Sequence, residues 1–155
     1  MQTVAELLAQ VPSFQGLHSD TFETVAGCGR TGGAEKGEYL MREGEPADTF
    51  YVVRSGHVAL EIFVPQRGAV TVETIGPGEL VGWSWLVEPF RSHLDARAIE
   101  DTRLLTFDAA CLRGKCDADP ALGYELMRRF VPVIVERLMA TRVRMLDVYG
   151  HAAGA

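Results

Sequence analysis

The stretch Gly76–Ala98, GPGELVGWSWLVEPFRSHLDARA, concentrates the residue types able to do chemistry. It holds glycines at 76, 78 and 82, a carboxylate at Glu79, indoles at Trp83 and Trp85, and Arg91 followed by Ser92. Such a set suits a pocket for an anionic ligand, and equally a bulky corner of a β-rich core. Gly78 and Gly82 are candidates for close approach of backbone to a ligand. Gly37, Gly44 and Gly56 are spread among turns and read as structural. Two residues apart on a short helix, Trp83 and Trp85 point to nearly opposite sides. One indole can then line a pocket or a partner surface while the other fills core, and the reading in which both are packing bulk stays open.

Other chemistry is thin. His18, His57, His93 and His151 are scattered, so no clustered histidine site for a metal is expected. Cys28, Cys111 and Cys116 form no disulfide or zinc spacing and read as reduced thiols. They are also too few and too spread for an iron–sulfur cluster, which takes about four thiolates. With no nucleophile motif either, an enzyme is not expected and no cofactor is assigned. The 155 residues carry a net charge of −6, which disfavours a nucleic-acid partner. The first twenty residues lack the basic start and apolar run of a signal peptide, and no segment approaches a membrane span. A cytoplasmic protein without membrane contact is expected.

The elements that must position the central stretch form three sections within a single domain, residues 1–155. A helical start contains VAELLAQVPSF, limited by Pro12, and DTFETVAG, where Asp20 and Glu23 suggest a capping box and Gly27 the end. A strand-rich middle, about residues 30–108, is punctuated by glycines and suggests a small antiparallel barrel or jelly roll. Within it HVALEIFV alternates Val58, Leu60, Ile62 and Val64 against Ala59, Glu61 and Phe63, the pattern of a strand with one buried face. HLDARAIE and TRLLTFD are expected to supply a closing pair of strands. A long helix follows, about residues 119–149, opened by Asp119 as cap and Pro120 in the first turn.

That helix carries two apolar stripes. Met127, Val131, Ile134, Leu138, Thr141, Met145 and Val148 recur at steps of four and three, a heptad seam expected to join two copies of the chain. Leu126, Phe130 and Val133 form a second stripe able to pack on the barrel. Pro132 removes one helical hydrogen bond and is expected to kink the helix. The basic residues Arg128, Arg129, Arg137, Arg142 and Arg144 read as a solvated face.

The segment GEYLMREGEPADTFYVVRSGHVALEIF resembles the cyclic-nucleotide-binding domain family, with Gly37, Gly44, Glu45, Asp48, Tyr51, Ser55, Gly56 and Val58 matching its pattern in order. LLAQVPSFQGLHSDTFETVA resembles the family's helical lead-in. DADPALGYELMRRFVPVIVERL resembles the long dimerisation helix of the catabolite activator subgroup. The likeness runs from about Leu7 to Tyr149 and implies a mainly β fold: a double-stranded β-helix (jelly roll) barrel with N-terminal helices and a long C-terminal dimerisation helix.

The resemblance also implies a site. Gly78 and Glu79 take the first positions of a cradle for a cyclic phosphate, with the glutamate accepting a ribose hydroxyl, Arg91 as phosphate partner and Ser92 as second donor. The implied ligand-binding set is Gly78, Glu79, Leu80, Val81, Gly82, Trp83, Trp85, Arg91 and Ser92. The chain departs from the family in several places. Val81 stands where a small residue is usual, Phe90 separates Pro89 from Arg91, and the Glu79–Arg91 spacing is about two residues long. His93, Leu94 and Asp95 replace small residues after the arginine, and an inward Asp95 would oppose a phosphate. The helix positions that meet the purine in the family fall on Arg137 and Leu138.

The implied function is a stand-alone dimeric sensor that binds a cyclic mononucleotide, cAMP or cGMP, or another small anion, and signals through an effector protein. No helix-turn-helix follows the long helix, so direct DNA binding is not expected. One alternative is a ligand-free dimeric interaction module in which Trp83, Trp85 and Phe90 fill the site. Another is a sensor of an apolar or haem-like ligand.

Overall fold

In a computed structural model the backbone of residues 1–153 and the side chains of residues 1–147 are described. The chain starts with helix α1 (Val4–Leu8), a 3-10 turn at Pro12–Phe14 and helix α2 (Ser19–Gly27). Eight strands follow: β1 (Gly29–Ala34), β2 (Tyr39–Met41), β3 (Thr49–Ser55), β4 (Val58–Val64), β5 (Gly68–Ile75), β6 (Leu80–Val81), β7 (Asp95–Ala98) and β8 (Thr102–Asp108). A 3-10 turn, Ser84–Leu86, separates β6 from β7, and helices α3 (Ala109–Ala118) and α4 (Pro120–Ala153) close the chain.

The strands make two antiparallel four-stranded sheets, β1-β8-β3-β6 and β2-β7-β4-β5. The expected closing pair is therefore corrected: β7 pairs with β2 and β4, while β8 pairs with β1 and β3, so the two segments lie in different sheets. Strands that alternate between sheets are how a double-sheet jelly roll limits its open edges.

Each sheet buries a different face. Val53, Val81 and Leu104 of the first sheet meet Val58, Leu60, Ile75 and Ala96 of the second in the barrel interior. The first sheet's other face carries Phe50, Val52, Leu80, Leu105 and Phe107, which pack against the helices through Leu8, Phe14, Leu112, Leu126 and Phe130. Phe50 is the centre of this core, stacked on Phe107 at 4.6 Å and on Trp85 at 5.3 Å, with Phe130 edge-on at 5.2 Å.

Two local expectations are corrected. In β4 burial does not alternate: Ala59 and Glu61 are buried along with Val58 and Leu60. Glu61 is buried at 2% exposure, whereas Ile62 and Phe63 are exposed at 40% and 62%. The carboxylate is tolerated because Arg97 on neighbouring β7 clasps it, Nε–Oε1 3.0 Å and Nη2–Oε2 2.8 Å. At the start, the capping box is made by Thr3 and Glu6 on α1, not by Asp20 and Glu23. Helix α2 is capped at His18, and Glu125 of α4 accepts from the His18 N–H (2.6 Å) and the Thr21 hydroxyl (2.8 Å). A carboxylate from a packed helix thus does the work assigned to a local one.

The Asp119–Pro120 start is found where the sequence puts it, with Asp119 Oδ1 accepting from the N–H groups of Ala121 and Leu122. Helix α4 runs unbroken through Pro132. Leu122, Leu126 and Phe130 are buried and Val133 is half-buried, so the second stripe packs on the barrel. Of the heptad seam, Met127, Val131, Leu138, Thr141 and Met145 are exposed, and Ile134 is intermediate. Val148 belongs to the helix, but its side chain lies outside those described.

Candidate functional site

The expected ligand set separates into four groups. Gly82, Trp83 and Ser92 line a pocket at the barrel mouth with Met41, Leu60, Ser84, His93, Leu94, Ala96 and Arg137. Gly78, Glu79 and Leu80 line a second hollow of about 250 Å³, shared with Glu73, Val133, Glu136 and again Arg137. Val81 and Trp85 are fully buried in packing. Arg91 is turned outward.

Strand alternation explains the Arg91 correction. Residues 90–92 run beside the 44–47 turn: the Gly44 N–H donates to the Ser92 carbonyl (2.9 Å), Ser92 N–H to Glu45 (2.9 Å), and Ala47 N–H to Phe90 (2.8 Å). In extended backbone neighbours face opposite sides, so Ser92 is buried at 7% while Arg91 is exposed. Its guanidinium donates back to the Gly44 carbonyl at 2.8 Å. Asp95 also avoids the pocket, accepting from the Glu43 N–H at 2.7 Å and pairing with Arg42 at 3.6 Å.

The two tryptophans divide as two sides of a tight turn. Trp85 is completely buried, stacked on Phe50 and edge-on to Phe130, so it has no face left for a ligand and leaves the expected site. Its indole N–H finds no hydrogen-bond partner among the described residues. Trp83, only half-buried, stacks on His93 at 5.2 Å with the planes 23° apart. His93 Nδ1 and Ser84 Oγ lie 2.8 Å apart and share a hydrogen bond. Arg113 of α3 holds the outer side of this loop: it donates to the carbonyls of Trp85 (3.0 Å) and Ala47 (3.3 Å), and its guanidinium lies 4.2 Å from the Phe90 ring centre.

Gly82 is required by its place. Its φ is +96°, and a Cβ there would collide with the Met41 side chain that fills the pocket floor. With that methionine in place the pocket offers about 20 Å³. That is room for about one water molecule, since a single water needs roughly 10–15 Å³ on this measure.

Arg137 is the residue that reasoning from motifs missed as a charge. It lines both hollows, with 11% of its side chain exposed. Its Nη2 donates to the Leu80 carbonyl, and its Nε lies 3.7 Å from Glu73 Oε2. Burial pushes the guanidinium's pKa down, opposed by Glu73, Glu79 and Glu136. A readable signal exists in the sequence. The barrel-facing stripe 122, 126, 130, 133 continues by one more step of four to 137, so a charge there must enter the barrel. Ser84 and His93 carry no such periodic signal, because one stands in a single-turn helix and the other in the irregular stretch before β7.

Polar groups from the site turn, from β7's approach and from the long helix therefore converge on one small hollow: Ser84, Ser92, His93 and Arg137. Among the described residues no group of three or more histidine, cysteine or acidic side chains is arranged to hold a metal, and no helix is long and apolar enough to cross a membrane.

Comparison with known proteins places this arrangement. Residues 34–119, more than half the chain, match the family model of the cyclic nucleotide-binding domain. A CRP-like cAMP-activated global transcriptional regulator of Mycobacterium tuberculosis is 24% identical over 143 residues, which is 92% of this chain. The chain spans only 62% of the length of that relative. A solved protein from Geobacter metallireducens GS-15 superposes with a TM-score of 0.77 at 25% identity, covering 89% of this chain and 99% of its own. The N-terminal domain of a transcriptional regulator from Streptomyces coelicolor A3(2) gives 0.64 at 26% identity, covering 90% and 95%. The chain belongs to the cyclic nucleotide-binding domain family.

Proposed function

We propose that this chain is a cytoplasmic regulatory sensor whose barrel mouth receives a small anionic ligand, a cyclic mononucleotide being the first candidate, and whose long helix passes the event to an effector protein. The observation that carries the reading is the convergence of Arg137 from α4 with Ser84, Ser92 and His93 from the barrel. Groups that would meet a ligand are shared between barrel and helix, so occupancy and helix placement cannot be independent. A ligand shifts such an equilibrium only by its differential affinity for the two placements. The mouth must widen to admit a nucleotide, and the Met41 side chain, which lines it beneath Gly82, is a flexible group able to give way.

The exposed seam supports a homodimer. Met127, Val131, Leu138 and Met145 are exposed along one seam of the helix, broken by Thr141, the pattern that buries itself against a second helix. Leu138→Glu is expected to halve the mass measured by light scattering, and an unchanged mass removes this seam from any self-association.

A second reading, a ligand-free interaction module, is favoured by the roughly one-water volume of the mouth. Calorimetric titration with cAMP and cGMP, with tryptophan emission followed in parallel, separates the two. Saturable binding of one ligand per chain with a Trp83 signal supports the sensor. No heat and no emission change at millimolar ligand supports the module.

A further inference from the structure

We propose that Arg137 is an exchangeable latch: paired with Glu73 and the Leu80 carbonyl it holds the long helix against the closed barrel mouth, and an anionic ligand opens the site by taking the guanidinium from Glu73. The ligand half of this inference rests on the sensor reading above; the latch in the free protein does not.

Three observations build it. First, Arg137 is the partition between two hollows, one bounded by Trp83, Ser84, Ser92 and His93 and the other by Glu73 and Glu79. A side chain lining both can serve either without the helix backbone first moving far. Second, its present partnerships are incomplete. A guanidinium has five N–H donors, yet among the described residues Arg137 makes one hydrogen bond, to Leu80, and one ion pair. The Nε–Oε2 separation of 3.7 Å is well beyond the roughly 2.7–2.9 Å of a close charge-assisted hydrogen bond. Third, the charge has little water to fall back on, at 11% exposure, so a better anion has much to offer it.

The acidic surroundings set the selectivity of the exchange. Glu73 sits on β5, Glu79 before β6, and Glu136 beside Arg137 on α4. An anion entering the barrel-mouth side is separated from this acidic side by the guanidinium itself. It competes with Glu73 for Arg137 and gains Ser84, Ser92 and His93 as further polar neighbours. An uncharged ligand of the same shape has no claim on Arg137 and leaves the latch shut.

The helix is arranged to respond. It is anchored by Leu122, Leu126 and Phe130, half-buried at Val133, and exposed throughout 141–147. Arg137 thus stands where the packed part of α4 gives way to the exposed part, and releasing it frees the exposed part to move about the anchored one.

The test compares the full chain with Arg137→Met and Glu73→Gln. Acrylamide quenching reads the mouth, because Trp85 is fully buried and Trp83 carries the response. Hydrogen exchange over residues 133–147 reads the helix. In the free protein both variants are expected to raise quenching about twofold and to speed exchange, with the larger change in Arg137→Met. Wild-type quenching and exchange in both folded variants overturn the latch. Should Arg137→Met fail to fold, Glu73→Gln alone decides, since it keeps the guanidinium and removes only its carboxylate. In the ligand arm, Glu73→Gln is expected to bind cAMP about threefold to tenfold more tightly, because the substitution removes the competitor whose single approach is 3.7 Å long. Arg137→Met is expected to lose at least about tenfold. Equal affinity of Glu73→Gln and wild type overturns the exchange. If wild type binds no nucleotide, the sensor reading fails, while quenching and exchange still decide the latch.

Discussion

Two arginine–glutamate pairs in this molecule look alike in sequence and differ in every physical respect. Glu61 and Arg97 face each other across β4 and β7 in a two-bonded clasp at 3.0 and 2.8 Å, with the carboxylate 2% exposed. Glu73 and Arg137 join β5 to the long helix through a single approach of 3.7 Å, with the carboxylate 22% and the arginine side chain 11% exposed. The first pair lies within one sheet: register puts Glu61 on the same face as Arg97, and the clasp neutralises a buried carboxylate there. The second connects two parts of the molecule that have separate hydrophobic anchors. A planar, fully matched pair has nowhere better to go, whereas a loose one can be bid for by another anion.

The largest effect expected from this contrast follows Arg97→Met. It leaves Glu61 buried with no counter-charge, and breaking a buried pair from one side costs about 3–5 kcal/mol. Urea unfolding is the measurement, and a loss under about 1 kcal/mol would show that water reaches Glu61 and that the clasp is incidental. An intermediate effect is expected with pH. The hydrogen bonds from Arg97 hold the Glu61 carboxyl below its usual range, with burial acting against them. A depressed carboxylate stabilises the fold above its unfolded pKa, about 4.3 for glutamate, and that stabilisation is lost as pH falls through the lower folded value. Stability measured from pH 6 down should therefore fall more steeply in wild type than in Glu61→Gln over that acid range. Parallel curves would mean the clasp contributes nothing pH-dependent.

The same two pairs mark what the sequence can disclose. Glycine punctuation, the Asp119–Pro120 start and the stripe Leu126–Phe130–Val133 all report local geometry, and all are found in place. Alternation across β4 reads Glu61 as solvent-facing; register does keep it on the face of Ala59 and Arg97, but the carboxylate is buried there against the Arg97 guanidinium. The resemblance puts Arg91 at the phosphate, yet pairing with the 44–47 turn points it out and Ser92 in. Trp85 lies wholly in core while Trp83, packed against the same core, also lines the mouth, and which indole does which depends on where Phe50 and Phe130 lie. Arg137 reaches the site from 45 residues beyond Ser92 in the sequence, by continuing an apolar stripe. Contacts across that distance are fixed by packing, which no short window of residues contains.

The smallest expected effect is also the most discriminating, and it comes from double-mutant cycles on the two pairs. Each cycle isolates the interaction between the partners from the separate cost of deleting each side chain. For Glu61→Gln with Arg97→Met the coupling should be about 2–3 kcal/mol, because a buried carboxylate is held by two short hydrogen bonds, even though the Arg97 side chain is 34% exposed. For Glu73→Gln with Arg137→Met it should be under about 1 kcal/mol, since the approach is single and long. Such a weak coupling is what a latch needs. A pair as strong as the clasp would hold the helix against any small ligand, because a ligand must outbid Glu73 before it gains anything from the guanidinium. If the second cycle equals the first, Arg137 is a structural arginine like Arg97, and the barrel mouth is closed for good.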